Sequence, residues 1–126
     1  DRYTQMLEPW QRMIDMGLTT FAETPEPTRS DCHAWSSSPN YDLLATVCGV
    51  EPAAPGFAQV RIAPHPGHLK QIKGVVPHPL GDIVVDLQCE GDVLSGRVVL
   101  PEDLPGTFVW KGKSQRLHAG ENKIGK

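Results

Sequence analysis

The spacing of apolar side chains predicts a helix at the start of the chain. In residues 1–17 they recur every three to four positions, at Tyr3, Met6, Trp10 and then Met13 or Ile14. This period is typical of one helical face, and we expect that face to pack in a core. Pro9 is tolerated in a first turn, so the helix is expected to begin at Glu8-Pro9 and to end at Gly17.

A second helical pattern follows after a loop that is interrupted by prolines. Ser38 can cap a helix whose first position is Pro39, and Gly49 supplies the end signal. The apolar positions between them are Tyr41 or Leu44, Val47 and Cys48. Together the two patterns predict a helical hairpin over residues 1–50. Two helices bury too little surface for an independent core, and the chain begins at Asp1 without Met, so we expect a fragment of a longer protein.

From Phe57 onwards the period drops to two, which is typical of strands. Alternation runs from 57 to 64, and turn residues separate further expected strands at 69–76, 81–89, 93–100, 105–111 and 114–118. Many short strands joined by glycine turns predict an antiparallel β-sandwich over residues 51–126. The fold class is therefore α+β, with the boundary in a proline-rich and alanine-rich linker at 51–56.

Composition and charge narrow the range of partners. The net charge is −3 and no Lys/Arg stripe is present, which argues against nucleic acid. The chain has no signal sequence and no long apolar run, so we expect no membrane partner. Cys32, Cys48 and Cys89 form no CxxC pair, Cys48 is expected to be buried, and a Cys32–Cys48 bridge stays open.

Metal and phosphate sites are not predicted. The three histidines that follow the linker lie in turns whose spacing matches no common zinc site, and they are His65, His68 and His78. The chain also has no glycine-rich phosphate loop and no Gly-x-Ser-x-Gly elbow. We therefore expect no metal and no cofactor.

The loop between the helices carries the residues that could do chemistry. Glu23, Glu26 and Asp31 are its carboxylates, and Pro25 and Pro27 keep the chain extended beside Glu23. Glycoside hydrolysis needs two carboxyl groups on opposite sides of the scissile bond, so neighbours in sequence need not be partners. At this point any of the three could equally be a solvated loop acid.

An imidazole next to an indole is suited to sugar recognition. The imidazole of His33 can bind hydroxyl groups, while the indole of Trp35 covers an apolar ring face. The alternative interpretation is that His33 caps the second helix.

Three ordered motifs resemble the end of the catalytic domain of bacterial α-L-rhamnosidases of glycoside hydrolase family 78. They are Trp10–Ile14, Gly17–Glu23 as Gly-x-Thr-Thr-x-x-Glu, and His33–Ser36. The segments Val50–Pro52, Pro55–Phe57, Val60–Pro64, Gly74–Pro77 and Gly81–Ile83 resemble the passage into the C-terminal β-sandwich of that family. The family often has tryptophan where this chain has Ala22.

This resemblance implies an inverting enzyme that hydrolyses terminal α-L-rhamnose in an (α/α)6 barrel. Residues 1–50 would be the last helices of that barrel, with its active-site loop, and 51–126 the sandwich. Glu23 would be the general base and His33 would hold the sugar, with Trp35 beside it. The general acid would lie upstream, so the rest of the barrel is an expected partner, as is a rhamnose-containing carbohydrate.

Two alternatives stay open. The chain could be a non-catalytic carbohydrate-binding or structural β-sandwich module. Such a module would need exposed aromatics on the sandwich, where the chain has Phe57, Phe108 and Trp110. The helical half could also self-associate, because its apolar stripe would lack barrel neighbours.

Overall fold

The computed structural model describes residues 5–24 and 27–125. It consists of two compact units, Asp1–Asp42 and Leu43–Lys126. The first contains the helices and the candidate loop, and the second contains the strands. No helix in the described ranges is long and apolar enough to cross a membrane. A six-hairpin barrel is not present among these residues; two helices are followed by two four-stranded sheets.

The first helix, α1, spans Glu8–Asp15 and has a proline in its first turn, as predicted. It ends at Gly17, whose φ of 78° places it in the left-handed region that glycine adopts without strain. The amide of Gly17 donates to the carbonyl of Ile14 and that of Leu18 to the carbonyl of Met13, which caps the last turn. The predicted end of the helix is therefore confirmed.

The prediction that the apolar stripe packs in a core holds for Met13 and is wrong for Met6 and Ile14. Met13 is buried, Trp10 is half-buried, and Met6 and Ile14 are exposed. Tyr3 lies outside the described residues. The physical reason is the small size of this unit, which offers few apolar neighbours: among its described residues the other buried apolar ones are Ala22 and Pro39.

The second helical region is less regular than predicted. A 3₁₀ turn at Ala34–Ser37 precedes a short helix, α2, at Ser38–Asp42. His33 occupies the position before the 3₁₀ turn but makes no side-chain capping bond. The imidazole of His33 therefore does not cap the helix, and that alternative interpretation is wrong. In the second unit a π-helical turn at Leu43–Val47 leads to Gly49.

The second unit contains two four-stranded sheets. One has the order β1-β2-β6-β7 and the other β3-β4-β5-β8. The strands are β1 at Val50–Pro52, β2 at Val60–Ile62, β3 at Gln71–Val76, β4 at Ile83–Glu90, β5 at Val93–Leu100, β6 at Gly106–Trp110, β7 at Lys113–Leu117 and β8 at Gly120–Ile124. The prediction missed β1 and β8. It also began β2 too early, because a 3₁₀ turn covers Pro55–Phe57.

The prediction of a wholly antiparallel arrangement is wrong at one pair. β2 and β6 run parallel, with Val60 beside Gly106 and Ile62 beside Phe108. Parallel neighbours need a long crossover, and here the chain between them contains β3, β4 and β5 of the other sheet. The other pairs within the two sheets are antiparallel.

Each sheet buries one face. In β4 the side chains of Ile83, Val85 and Leu87 are fully buried and alternate with more exposed neighbours. Burial of such a side chain contributes about 1.5–3 kcal/mol each. The two sheets approach closely at Gly106, where a Cβ atom would lie 2.7 Å from Cδ1 of Leu100. This second unit therefore has the core that the first unit lacks.

Gly49 should be one of the least replaceable residues in this unit. Its φ is +71°, and a Cβ atom would lie 2.1 Å from the backbone carbonyl atoms of Ala63. Gly120 is the matched control, with a φ of +80° and open space around it. We expect Gly120→Ala to lower the free energy of unfolding by about 1–2 kcal/mol, the cost of the left-handed conformation. Gly49→Ala should cost a further 1–3 kcal/mol or so through overpacking.

Urea unfolding, followed by far-ultraviolet circular dichroism, measures both free energies. Equal losses in the two variants would contradict the close approach at Gly49.

Candidate active site

The loop that carries Glu23 folds back on itself through backbone hydrogen bonds. The amide of Glu23 donates to the carbonyl of Ser30 over 2.8 Å, and the amide of His33 donates to the carbonyl of Phe21 over 2.7 Å. The hydroxyl of Thr20 donates to the carbonyl of Asp31. These bonds place the two arms of the loop side by side. Pro25 and Glu26 lie outside the described residues, so the rival carboxylate of Glu26 has no structural assignment.

Arg29 binds both oxygens of the Glu23 carboxylate. Its Nε lies 2.6 Å from Oε2 and one terminal nitrogen lies 2.6 Å from Oε1. The carboxylate side chain is 6% exposed, whereas that of Arg29 is 82% exposed. A planar guanidinium fork matches a carboxylate in this two-bond geometry. The pair therefore fixes the plane of the carboxylate as well as its position.

Arg29 also stabilises the ionised form of Glu23. The hydrogen bonds from Arg29 hold the pKa of Glu23 below its usual range, burial opposes them, and the electrostatic influence of the nearby His33 lowers the pKa further. The same pairing raises the pKa of Arg29. Glu23 is therefore ionised in neutral and mildly acidic solution.

The structure brings His33 to the Glu23 carboxylate and Trp35 to the ring of His33. Nε2 of His33 lies 4.0 Å from Oε1 of Glu23. The rings of His33 and Trp35 are tilted against each other, with 4.6 Å between their centroids. Trp35 is 65% exposed, so much of its indole is accessible to solvent. The three residues that the sequence singled out thus lie together, while their roles stay predictions.

The backbone of Glu23 is held from two sides. Nε1 of Trp35 donates to the carbonyl of Glu23 over 3.3 Å, and Oγ of Ser36 lies 3.5 Å from the same oxygen. Ser36 also accepts a 2.6 Å hydrogen bond at its own carbonyl from Nε1 of Trp10, which connects it to α1. These contacts hold the backbone of Glu23 against Trp35 and Ser36. Sequence reasoning identified neither the anchoring by Ser36 nor the pairing with Arg29.

Other sequence candidates stay apart from this cluster. Asp31 is exposed, and its backbone carbonyl rather than its carboxylate accepts the hydrogen bond from Thr20. Cys32 is exposed and Cys48 is buried, as predicted for Cys48, and both are free thiols, so the open alternative of a bridge is wrong.

The three histidines of the second unit have other surroundings. His65 and His68 are exposed, and His78 bonds to the backbone of Phe57 and Leu80. No group of three metal-ligating side chains occurs in the part of the chain that the structure describes.

This arrangement suits one half of an acid–base reaction. A general base must be ionised, fixed and within reach of one water molecule. Glu23 meets the first two conditions: Arg29 and His33 lie next to its carboxylate, and Trp35 and Ser36 lie against its backbone carbonyl. A carboxylate has about four lone-pair sites, and Arg29 occupies two of them. The other acceptor sites of the carboxylate are therefore not used by Arg29.

Comparison with known proteins identifies the class to which this chain belongs. Residues 49–124 match the model of the bacterial α-L-rhamnosidase C-terminal domain. The match covers more than half of the sequence, and the chain belongs to that family. No curated protein sequence matches that of this chain.

Solved rhamnosidases share the fold. The α-L-rhamnosidase from Aspergillus terreus is 21% identical, with a TM-score of 0.78 over 91% of this chain and 15% of that one. The α-L-rhamnosidase from Dictyoglumus thermophilum is 20% identical, with a TM-score of 0.73 over 91% and 17%. The GH78 family rhamnosidase of Bacillus sp. GL1 is 32% identical, with a TM-score of 0.72 over 85% and 13%. The chain thus spans about one sixth of the first two proteins.

The lowered pKa of Glu23 predicts a pH-dependent contribution to stability. A carboxyl group with a depressed folded pKa contributes stability above its unfolded pKa, and that contribution is lost as the pH falls through the folded value. With a reference value of 4.5 for the unfolded state, the full contribution is present above pH 4.5. We expect Glu23→Gln to lower the melting temperature of the loop at pH 7. The difference from the wild type should shrink as the pH falls below 4.5.

Tryptophan fluorescence melts between pH 3 and 7 measure this difference, since Trp35 contacts Glu23 directly. Glu8→Gln is the matched control, because Glu8 also pairs with an arginine, Arg12, but on the exposed face of α1. A difference that is independent of pH would contradict the assignment of the effect to the Glu23 carboxylate.

Proposed function

We propose that this chain is the C-terminal part of an inverting glycoside hydrolase that removes terminal α-L-rhamnose from glycosides or polysaccharides. The observation that carries the proposal is the cluster of Glu23, His33 and Trp35 in a chain that belongs to the α-L-rhamnosidase C-terminal family. Residues 1–50 would be the last helices and active-site loop of an (α/α)6 barrel. The solved rhamnosidases support this placement, because their similarity extends well beyond the family match at 49–124.

Glu23 is the general base of this reaction. It takes a proton from a water molecule as the oxygen of that water attacks the anomeric carbon, and the sugar configuration inverts. The opposing carboxylic acid protonates the leaving oxygen and comes from the barrel upstream. Inverting enzymes hold these two groups about 6.5–9.5 Å apart to admit the water. The ionised state that Arg29 imposes is the one that a base needs.

His33 and Trp35 bind the sugar beside this base. The imidazole is a third exposed and can hydrogen-bond to hydroxyl groups, while the accessible indole face can cover the apolar side of a ring. Deoxy sugars such as rhamnose carry a methyl group, which favours an aromatic neighbour. The inward-facing Ala22, which is 1% exposed, contributes no aromatic surface to the site.

The alternative of a carbohydrate-binding sandwich has less support from the second unit. Phe108 is buried, Phe57 lies edge-on against His78, and Trp110 is half-buried with Lys111 above its ring. Nε1 of Trp110 is also bonded to the carbonyl of Asp92. Sugar binding by stacking requires a free aromatic face. These three aromatics are engaged with other residues.

Substitution of Glu23 in a rhamnosidase-length protein that contains this segment tests the function. We expect Glu23→Gln to lower kcat by at least about 10²-fold with little change in KM, because the group acts in the transition state. Glu8→Gln is the control, and Glu26→Gln should be much milder. His33→Ala should chiefly raise KM. A folded Glu23→Gln enzyme with near-normal kcat would make Glu26 or Asp31 the candidate base.

The 126-residue chain alone should not hydrolyse an aryl α-L-rhamnoside. General acid catalysis raises the reaction rate by about 10²–10⁴-fold, and the proposed acid lies outside this chain. We would compare the 126-residue chain with the longer protein at equal molar concentrations. The rate of phenol release, measured by absorbance, reports the turnover of each. Turnover near that of the longer protein would show that this chain holds a complete site.

A further inference from the structure

The most constrained side chain of the first unit is the Glu23 carboxylate. Its amide is bonded to Ser30, and its carbonyl is bonded to Trp35 and Ser36. With the backbone anchored at both groups, the remaining freedom of the residue is rotation about its side-chain bonds. Both carboxylate oxygens accept a bond from Arg29, and two parallel bonds from a rigid fork oppose rotation about those bonds as well.

The contribution of this pair to stability is not the argument for its role. Arg29 is 82% exposed, and ion pairs with an exposed member contribute little to folding in general. Its distinctive property is geometry. The guanidinium meets the carboxylate through Nε and a terminal nitrogen, whereas Arg12 meets Glu8 through one terminal nitrogen. A single bond fixes a distance, and a fork also fixes a plane.

The orientation that results has a consequence for Oε1. This oxygen lies 4.0 Å from Nε2 of His33, too far for a direct hydrogen bond and suited to one bridging water molecule. Rotation about the side-chain bonds of Glu23 would change this 4.0 Å separation. The place where a water molecule can meet both groups therefore depends on the torsion angles that Arg29 restricts.

We propose that Arg29 is a positioning residue, which holds the Glu23 carboxylate in the one orientation that directs Oε1 towards His33. The proposal rests on the proposed function for its catalytic meaning, since a fixed water molecule between Oε1 and His33 would be the one that attacks the sugar. Its structural content does not need that function. Arg29 itself touches neither substrate nor water in this role.

The test separates the fork of Arg29 from its charge. Arg29→Lys keeps the positive charge but cannot bind both oxygens in one plane, and Arg29→Met removes the charge as well. Arg12→Met is the matched control, because it removes an arginine that pairs with a glutamate of the same unit by one bond. Three-bond couplings along the Glu23 side chain, measured by NMR on the 126-residue chain, report the rotamers about its Cα–Cβ and Cβ–Cγ bonds, which set where the carboxylate points. The carboxyl ¹³C shift of Glu23 reports its titration.

We expect single-rotamer couplings for Glu23 in the wild type and in Arg12→Met, and averaged couplings in both Arg29 variants. The titration midpoint of Glu23 should rise most in Arg29→Met and less in Arg29→Lys. The indole N–H resonance of Trp35 should stay at its wild-type position, because the backbone anchors of Glu23 do not include Arg29.

Two outcomes would overturn the proposal. Single-rotamer couplings in Arg29→Lys would show that charge alone is sufficient. A displaced Trp35 indole resonance in both Arg29 variants would show that Arg29 holds the whole loop rather than one carboxylate. Neither measurement uses a substrate, so failure here would leave the proposed function standing. Conversely, the proposed function can fail in the kinetics of Glu23→Gln while the rotamer result holds.

Discussion

Polar contacts rather than a core hold the loop that carries Glu23. Among the described residues up to Asp42, the buried apolar side chains are those of Met13, Ala22 and Pro39. The loop is instead closed by backbone bonds between its two arms and by the donors that converge on Glu23. Such bonds contribute about 0.5–1.5 kcal/mol each, so they can specify a geometry without great stability. The candidate site depends on this network.

The strand-rich unit has the opposite character. Its two sheets bury continuous apolar faces, with Ile62, Ile83 and Leu87 fully enclosed. Its described aromatic side chains are engaged in packing or in local bonds, and the candidate chemistry lies elsewhere. This division agrees with membership of a C-terminal domain family that covers 49–124. In the proposed enzyme this unit is a folded domain that follows the proposed general base in sequence.

Local signals in the sequence predicted the parts of the fold that local chemistry decides. The start of α1 at Glu8-Pro9, its end at Gly17 and the alternating runs of β3, β4 and β5 all depend on residues within a few positions. The parallel pairing of β2 with β6 was missed because strands distant in sequence determine it. Burial was predicted wrongly for Met6 and Ile14, since periodicity identifies a face but not what covers it.

The same distinction between local signals and tertiary geometry applies to the candidate site. Glu23, His33 and Trp35 could be singled out from residue types and from a family resemblance, and the structure places them together. The pairing of Glu23 with Arg29 could not be predicted from the sequence. The two residues are six positions apart in a proline-rich loop, and this separation implies no fixed distance between their side chains. Only the folded-back geometry, closed by the bond between Glu23 and Ser30, makes the fork reach both oxygens.

This pairing bears on how one reaction can use two carboxyl groups. The base must be ionised at the pH at which its partner acid keeps a proton, so their surroundings have to push the two pKa values apart. A lowered pKa makes Glu23 a weaker base, which by itself would slow proton abstraction. It also leaves Glu23 ionised in solutions acidic enough to keep an ordinary carboxylic acid partly protonated. In the proposed enzyme, Arg29 thus lowers the basicity of Glu23 while it keeps the carboxylate ionised and oriented. This combination suits a base that takes the proton of the attacking water only as the sugar bond breaks.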